Sequence, residues 1–210
     1  MSSTPVRDGA VWLAGQLRDA VRERGGAAVA VSGGSTAPAL FADLLDEDVP
    51  WEAVSVWQVD ERIAPDGDPR RNVLQLDVLP ARVYAMPVTQ PDLSEAALRY
   101  ERTLPDRFDI VHLGVGDDGH TASWPPGDDT VIESEHCVEI VPEFHGVERM
   151  TLTARVVNGA RRRMVLAHGV GKAPVIRRWV GGDETLPVAR LEQTDTRVFL
   201  DAGAAAELGQ

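Results

Sequence analysis

The stretch Ile110-Val111-His112-Leu113-Gly114-Val115-Gly116-Asp117-Asp118-Gly119-His120-Thr121-Ala122-Ser123 decides the fold of this chain. Its opening run, Ile110 to Leu113, reads as a buried strand. Three glycines, two aspartates, one histidine and two hydroxyls then fall within ten residues. Glycine admits backbone with φ > 0 and lets a ligand approach closely. Histidine titrates near neutral pH. A glycine-rich loop dense in reactive groups at the carboxyl end of a strand is where an open α/β sheet holds its ligand.

Outward from this loop the same grammar repeats. Residues 27–31 form an apolar run that ends in Ser32-Gly33-Gly34-Ser35-Thr36, with a helical pattern from Pro38 to Leu45. Val54 to Val59 reads as a strand with Asp60-Glu61-Arg62 at its end, and Arg163 to Ala167 as one followed by Gly169 to Lys172. Residues 5–24 carry apolar positions at helical spacing and stop at Gly25-Gly26. Further helices are predicted over Asn72–Leu79, from an N-cap at Ser94 to Leu104, over Pro174–Val180 and in the alanine-rich C-terminal segment. Further strands are predicted at Val83–Met86, Val138–Val141, Met150–Thr153 and Arg197–Leu200. Strands alternating with helices predict an α/β fold: a Rossmann-like open, mostly parallel sheet with helices on both faces. Residues 1–210 read as a single domain. The polar clusters all follow strands, so such a sheet can bring them to one edge.

Composition narrows the function. Lysine and arginine number 21 against 33 acidic residues, a net charge of −12. That argues against a nucleic-acid binder, which needs a basic patch, but not against a small anion held by a few local cations. There is a single cysteine, Cys137, read as a small hydrophobe in a reducing compartment. No apolar run approaches a membrane span and no signal-like segment opens the sequence, so the expectation is a cytoplasmic protein away from membranes. Twenty-one basic residues include one lysine, Lys172.

Several motifs need weighing. The Ser32–Thr36 turn can form an anion nest at a helix N-terminus, or be an ordinary strand-to-helix turn with Thr36 as its cap. No Gly-Lys-Ser/Thr follows, which disfavours a nucleoside triphosphate. Gly114, Gly116 and Gly119 match G-x-G-x-x-G, but Pro125-Pro126-Gly127 leaves no room for the helix that fingerprint needs. His120 stands out among five histidines because Asp118 can orient its ring. The others, His112, His136, His145 and His168, read as structural or surface residues. No His-x-x-x-His or Cys-x-x-Cys spacing exists, so no metal is expected. Lys172 opposes the dipole of the helix that follows, which an anion bound there would offset. Arg161-Arg162-Arg163 reads as a solvated run. No serine nucleophile elbow is present.

Taken together, Ser32–Thr36, Asp60-Glu61-Arg62 with Asn72, Gly114–Ser123, Glu148–Thr153 and Gly171-Lys172-Ala173 resemble the 6-phosphogluconolactonase family, within the group that also holds glucosamine-6-phosphate deaminases. The resemblance implies a cofactor-independent α/β hydrolase of 6-phosphogluconolactone. Carried over, His120 activates water, Asp118 orients it and Arg62 faces the lactone. Gly33, Gly34, Ser35, Thr36 and Lys172 hold the phosphate, while Asp60 and Arg149 contact the substrate. The expected partner is the phosphosugar lactone alone, with the protein a monomer or small homo-oligomer. A deaminase is the nearest rival, yet that branch follows its histidine with a glutamate where this chain has Thr121–Pro126. A non-catalytic phosphosugar-sensing module is the other. Departures from the family pattern are Ala37 ahead of Pro38, Arg71 before Asn72 and Trp124-Pro125 after Ser123.

Overall fold

The computed structural model describes residues 5–209. Helix α1 spans Pro5–Arg24 and buries Ala10, Leu13, Ala14, Leu17 and Ala20 along one stripe. It stops at Gly25, whose φ of +77° a side chain would resist. Strand β1 (Ala27–Val31) leads into α2 (Ala37–Leu45), and β2 (Val54–Gln58) into β3 (Asp60–Arg62). Then come α3 (Val73–Leu76), β4 (Arg82–Tyr84), α4 (Leu93–Glu101) and β5 (Ile110–Gly114). The hairpin β6 (Val138–Phe144) and β7 (Val147–Leu152) precedes α5 (Ala154–Gly159), β8 (Arg162–Ala167), α6 (Ala173–Val180) and β9 (Thr196–Leu200).

Six strands form one parallel sheet in the order β4-β2-β1-β5-β8-β9. The chain runs outward from β1 in one direction, then returns to β5 and runs outward in the other. The boundary between β1 and β5 is thus a topological switch point, where an open sheet leaves a crevice at its carboxyl edge. Side-chain alternation divides the core in two. Val29, Val31, Ile110, Met164 and Leu166 face α1, α2 and Leu76 of α3. Ala30, Val111, Leu113, Val165 and Ala167 face α4, α5 and α6. Helices therefore cover both faces, as the sequence predicts. No helix among the described residues is long and apolar enough to cross a membrane.

Four local expectations are corrected. Asp60-Glu61-Arg62, read as the end of the Val54–Val59 strand, is a separate short strand, because it pairs antiparallel with β7 in a second sheet, β3-β7-β6. Helix α4 is capped by Asp92, whose extended backbone lets its carboxylate accept the Glu95 N–H at 2.9 Å; Ser94 lies inside the helix. The alanine-rich C-terminus makes turns, not a helix. Asp201 accepts the N–H groups of Gly169 and Ala204, and Ala204 and Ala205 are buried, so docking overrides propensity there. Arg163 is no solvated residue: it is 2% exposed and donates to the carbonyls of Asn158, Ala160 and Glu192, closing the end of α5. Arg161 pairs with Asp109 at 3.3 Å.

Candidate active site

Loops after β1, β5 and β8, together with β3 and β7, enclose a cavity of about 420 Å³ at the switch point, a size suited to a small ligand. The loop after β1 supplies Gly33, Gly34, Ser35 and Thr36, and β3 supplies Asp60 and Arg62. The loop after β5 supplies Asp118 and His120, β7 supplies Arg149, and the turn after β8 supplies Lys172. Every site residue named from the sequence lines this one cavity.

The His120 end is built on a tight turn. Gly119 N–H donates to the Gly116 carbonyl at 3.0 Å, and Gly116 N–H to the His120 carbonyl at 2.8 Å. Gly119 sits at φ +89°. At Gly116 a Cβ would lie 2.1 Å from His120 Nδ1, so only glycine lets the ring fold back over the turn. Asp118 Oδ1 lies 2.6 Å from His120 Nδ1 and also accepts the His120 backbone N–H at 3.1 Å. This network assigns the ring proton to Nδ1 and leaves Nε2 as an acceptor. Burial is the main force on His120 and lowers its pKa, against the raising effect of Asp118. Burial thereby favours the neutral form of the ring, with Nε2 as its free acceptor. Burial pushes Asp118 up, but hydrogen bonds and charge from His120, with His145, bring it below the usual carboxylate value.

The sequence reads His145 as a structural or surface residue. It is half-exposed, yet the β6–β7 turn swings its Nε2 to 3.1 Å from Asp118 Oδ2. Its φ of +52° is a left-handed conformation held by that turn. His168 also borders the cavity while it pairs with Asp201. The donor atoms of Asp118, His120 and His145 lie within 4.8 Å of one another. These three could ligate an ion, although Asp118 already spends both oxygens in orienting two imidazoles. The contact joins residues 27 apart and leaves no spacing motif.

On the same cavity, Asp60 is 5% exposed and accepts a hydrogen bond from the Ser123 hydroxyl at 2.7 Å. Ser123 Oγ in turn accepts from Arg149 Nη1 at 3.3 Å, and the guanidinium lies 4.8 Å from the Phe144 ring centroid. Asn72 Nδ2 donates to the Asp60 carbonyl at 3.0 Å. Glu61, fully buried, faces away and fastens the segment around residue 72: it accepts the N–H groups of Arg62, Asn72 and Val73 and the amide of Gln58. Arg71 answers it at 3.2 Å. That departure is thus a buried counter-ion. Trp124 is likewise core, with Nε1 donating to the Leu152 carbonyl, and Ala37 is the first residue of α2.

At the other end, Gly34 adopts φ +113°, and its N–H is taken by Gln75 Oε1 at 3.0 Å. The amides of Ser35 and Thr36 have no acceptor among the described residues, and Thr36 makes no side-chain cap. Two N–H groups just ahead of α2, on residues that line the cavity, are therefore left without an acceptor among the described residues, as an anion site requires. Ser32 Oγ is buried without a partner on the same wall. Lys172 is the residue before α6, and its Nζ lies 2.5 Å from Asp117 Oδ1. The glycine fingerprint match is empty of helix: none begins between Val115 and Cys137.

The sequence profile of the family described as glucosamine-6-phosphate isomerases/6-phosphogluconolactonase matches residues 3–200. A 6-phosphogluconolactonase of Synechocystis is 32% identical over 77% of this chain and 75% of its own. One of Mesorhizobium japonicum is 37% identical over 71% of each. The crystal structure of a 6-phosphogluconolactonase from Shewanella baltica superposes with a TM-score of 0.87, at 25% identity, over 95% of this chain and 94% of that one.

Proposed function

The chain belongs to the glucosamine-6-phosphate isomerase/6-phosphogluconolactonase family, and from that membership we propose that it hydrolyses 6-phospho-D-glucono-1,5-lactone to 6-phosphogluconate in the oxidative pentose phosphate pathway. The observation that carries this reading is one cavity lined by an imidazole that Asp118 orients and, from separate loops, by the acceptor-free amides of Ser35 and Thr36 and by Lys172. A phosphosugar lactone has a reacting carbonyl and a dianion at opposite ends.

The phosphate docks on the Ser35 and Thr36 amides and Lys172, which fixes the ring and presents C1 toward His120. A water between C1 and Nε2 loses its proton to the imidazole as its oxygen bonds to C1. Asp118 holds the ring and stabilises the imidazolium. The carbonyl oxygen gains negative charge, and Arg62 and Arg149 are the cations near enough to offset it. The tetrahedral intermediate collapses by breaking the bond from C1 to the ring oxygen, which takes the proton back from His120. A lactone is an activated ester, so one base and an oxyanion site suffice. Among the described residues no glutamate lines the cavity, which leaves the deaminase reading without its acid. We take the protein to be one domain over residues 1–210, acting in the cytoplasm as a monomer or small homo-oligomer, with no cofactor and no nucleic-acid or membrane partner.

The test is the decay of freshly generated lactone against its spontaneous hydrolysis. His120→Ala is expected to lose roughly 10²–10⁴-fold in kcat while unfolding at an unchanged temperature. Asp118→Asn is expected to fall in the same range, because the amide no longer fixes the tautomer. Full activity of His120→Ala refutes the assigned base, and ammonia release from glucosamine 6-phosphate moves the protein to the deaminase branch.

A further inference from the structure

The turn Gly116-Asp117-Asp118-Gly119 carries two adjacent carboxylates that point to different partners. Asp118 reaches back to His120, whereas Asp117 reaches across the cavity to Lys172 at 2.5 Å. Asp117 is 76% exposed on its side chain and Lys172 24%. The pair thus lies at the mouth, one partner in solvent and the other against the cavity. Asp117 makes no other side-chain contact among the described residues. The cavity is otherwise balanced: three cations, Arg62, Arg149 and Lys172, face three carboxylates, Asp60, Asp117 and Asp118. Asp60 and Asp118 are committed to Ser123 and to the two imidazoles. Asp117 is the one acid whose sole contact is the cation that the proposed reading gives to phosphate.

We propose that Asp117 is a built-in competitor for the phosphate site: it holds Lys172 when the site is empty, yields it to the incoming dianion, and reclaims it to speed the product's departure. The proposal rests on the reading of Lys172 as a phosphate ligand. A mostly exposed ion pair is weak and exchanges readily with a stronger anion. A phosphate dianion meets Lys172 and the amides of Ser35 and Thr36 together, which a single carboxylate cannot match. Once displaced, the carboxylate stands close to a second anion, and that like-charge contact favours release. One residue then lowers affinity for substrate and product alike, and turnover is not throttled by a product carrying the same phosphate.

The measurement is binding of inorganic phosphate, by calorimetry and by its effect on thermal unfolding, to the wild type, Asp117→Asn and Lys172→Met at fixed ionic strength. Asp117→Asn is expected to bind phosphate more tightly by a factor between about 1.4 and 5, the range spanned by an exposed ion pair. Its KM for the lactone falls by a similar factor without a rise in kcat, and 6-phosphogluconate inhibits it correspondingly more strongly. The gain shrinks as salt is raised, since the competing charge is exposed. A carboxylate that served to position Lys172 for phosphate gives the opposite sign, so unchanged or weakened phosphate binding in Asp117→Asn, with Lys172→Met impaired, overturns the competitor role and leaves the phosphate reading standing. Unchanged phosphate binding in Lys172→Met removes the phosphate reading, and the competitor with it.

Discussion

Acid should destabilise this protein through one side chain in the middle of its sheet. His112 lies on β5 between Val31 of β1 and Met164 of β8, on the face that packs against α1 and α2. It is 1% exposed, and neither ring nitrogen has a partner. Burial lowers its pKa from 6.5 to about 4. In the unfolded chain the ring takes a proton as the pH drops through 6.5; in the folded chain it resists until about 4. The unfolded state therefore binds more protons over that window, and stability is lost as pH falls through it. At 1.4 kcal/mol per pH unit the full loss is roughly 3 kcal/mol, of which about 2 kcal/mol is gone by pH 5. That is a sizeable share of the 5–15 kcal/mol on which a domain usually rests. Urea unfolding followed by tryptophan fluorescence at pH 7.5 and pH 5 reads it directly. His112→Leu has similar volume and nothing to protonate. It should match or exceed the wild type at pH 7.5 and escape about 2 kcal/mol of the acid loss. Equal acid losses in the two proteins, or a heavily destabilised variant at pH 7.5, would refute the account of an unpartnered neutral ring.

Two other substitutions separate scaffold from chemistry. Gly116→Ala places a methyl 2.1 Å from His120 Nδ1 and must push the ring off Asp118; kcat should fall on the order of 10²-fold, with phosphate affinity retained in the same titration. Glu61→Gln turns an amide toward the N–H groups that the carboxylate accepts and leaves buried Arg71 with the exposed Asp66 as its remaining counter-charge. It should cost about 3 kcal/mol, seen as a drop of roughly 10 °C in Tm.

Sequence alone displayed the parts that local physics determines. The apolar runs of β1 and β5, the glycine-rich loops after them and the prolines at 125–126 each say what the backbone does next, and the structure agrees. Seven of the ten named residues reach one cavity because parallel strands put their carboxyl ends on one edge, and Asp60, Arg62 and Arg149 join them from the antiparallel β3–β7 pair. What stayed hidden depends on partners distant in sequence. Three polar residues, 60–62, are a strand only because β7 lies beside them. His145 reaches Asp118 only because a hairpin turn places it there. Arg163 looks solvated in a triple-arginine run until carbonyls from the 157–160 and 192–194 segments surround it. The C-terminal alanines favour helix in isolation and lose to the Asp201 carboxylate, which takes the Ala204 N–H, and to burial of Ala204 in the core.

Lys172 has a practical consequence as the only side-chain amine in 210 residues. Acylating reagents directed at ε-amines have one target, and it sits at the cavity mouth. A fluorophore or an isotopic label attached there is homogeneous from molecule to molecule. The rate of its attachment, measured with and without an anion, is a footprint of site occupancy that needs no turnover and no purified lactone.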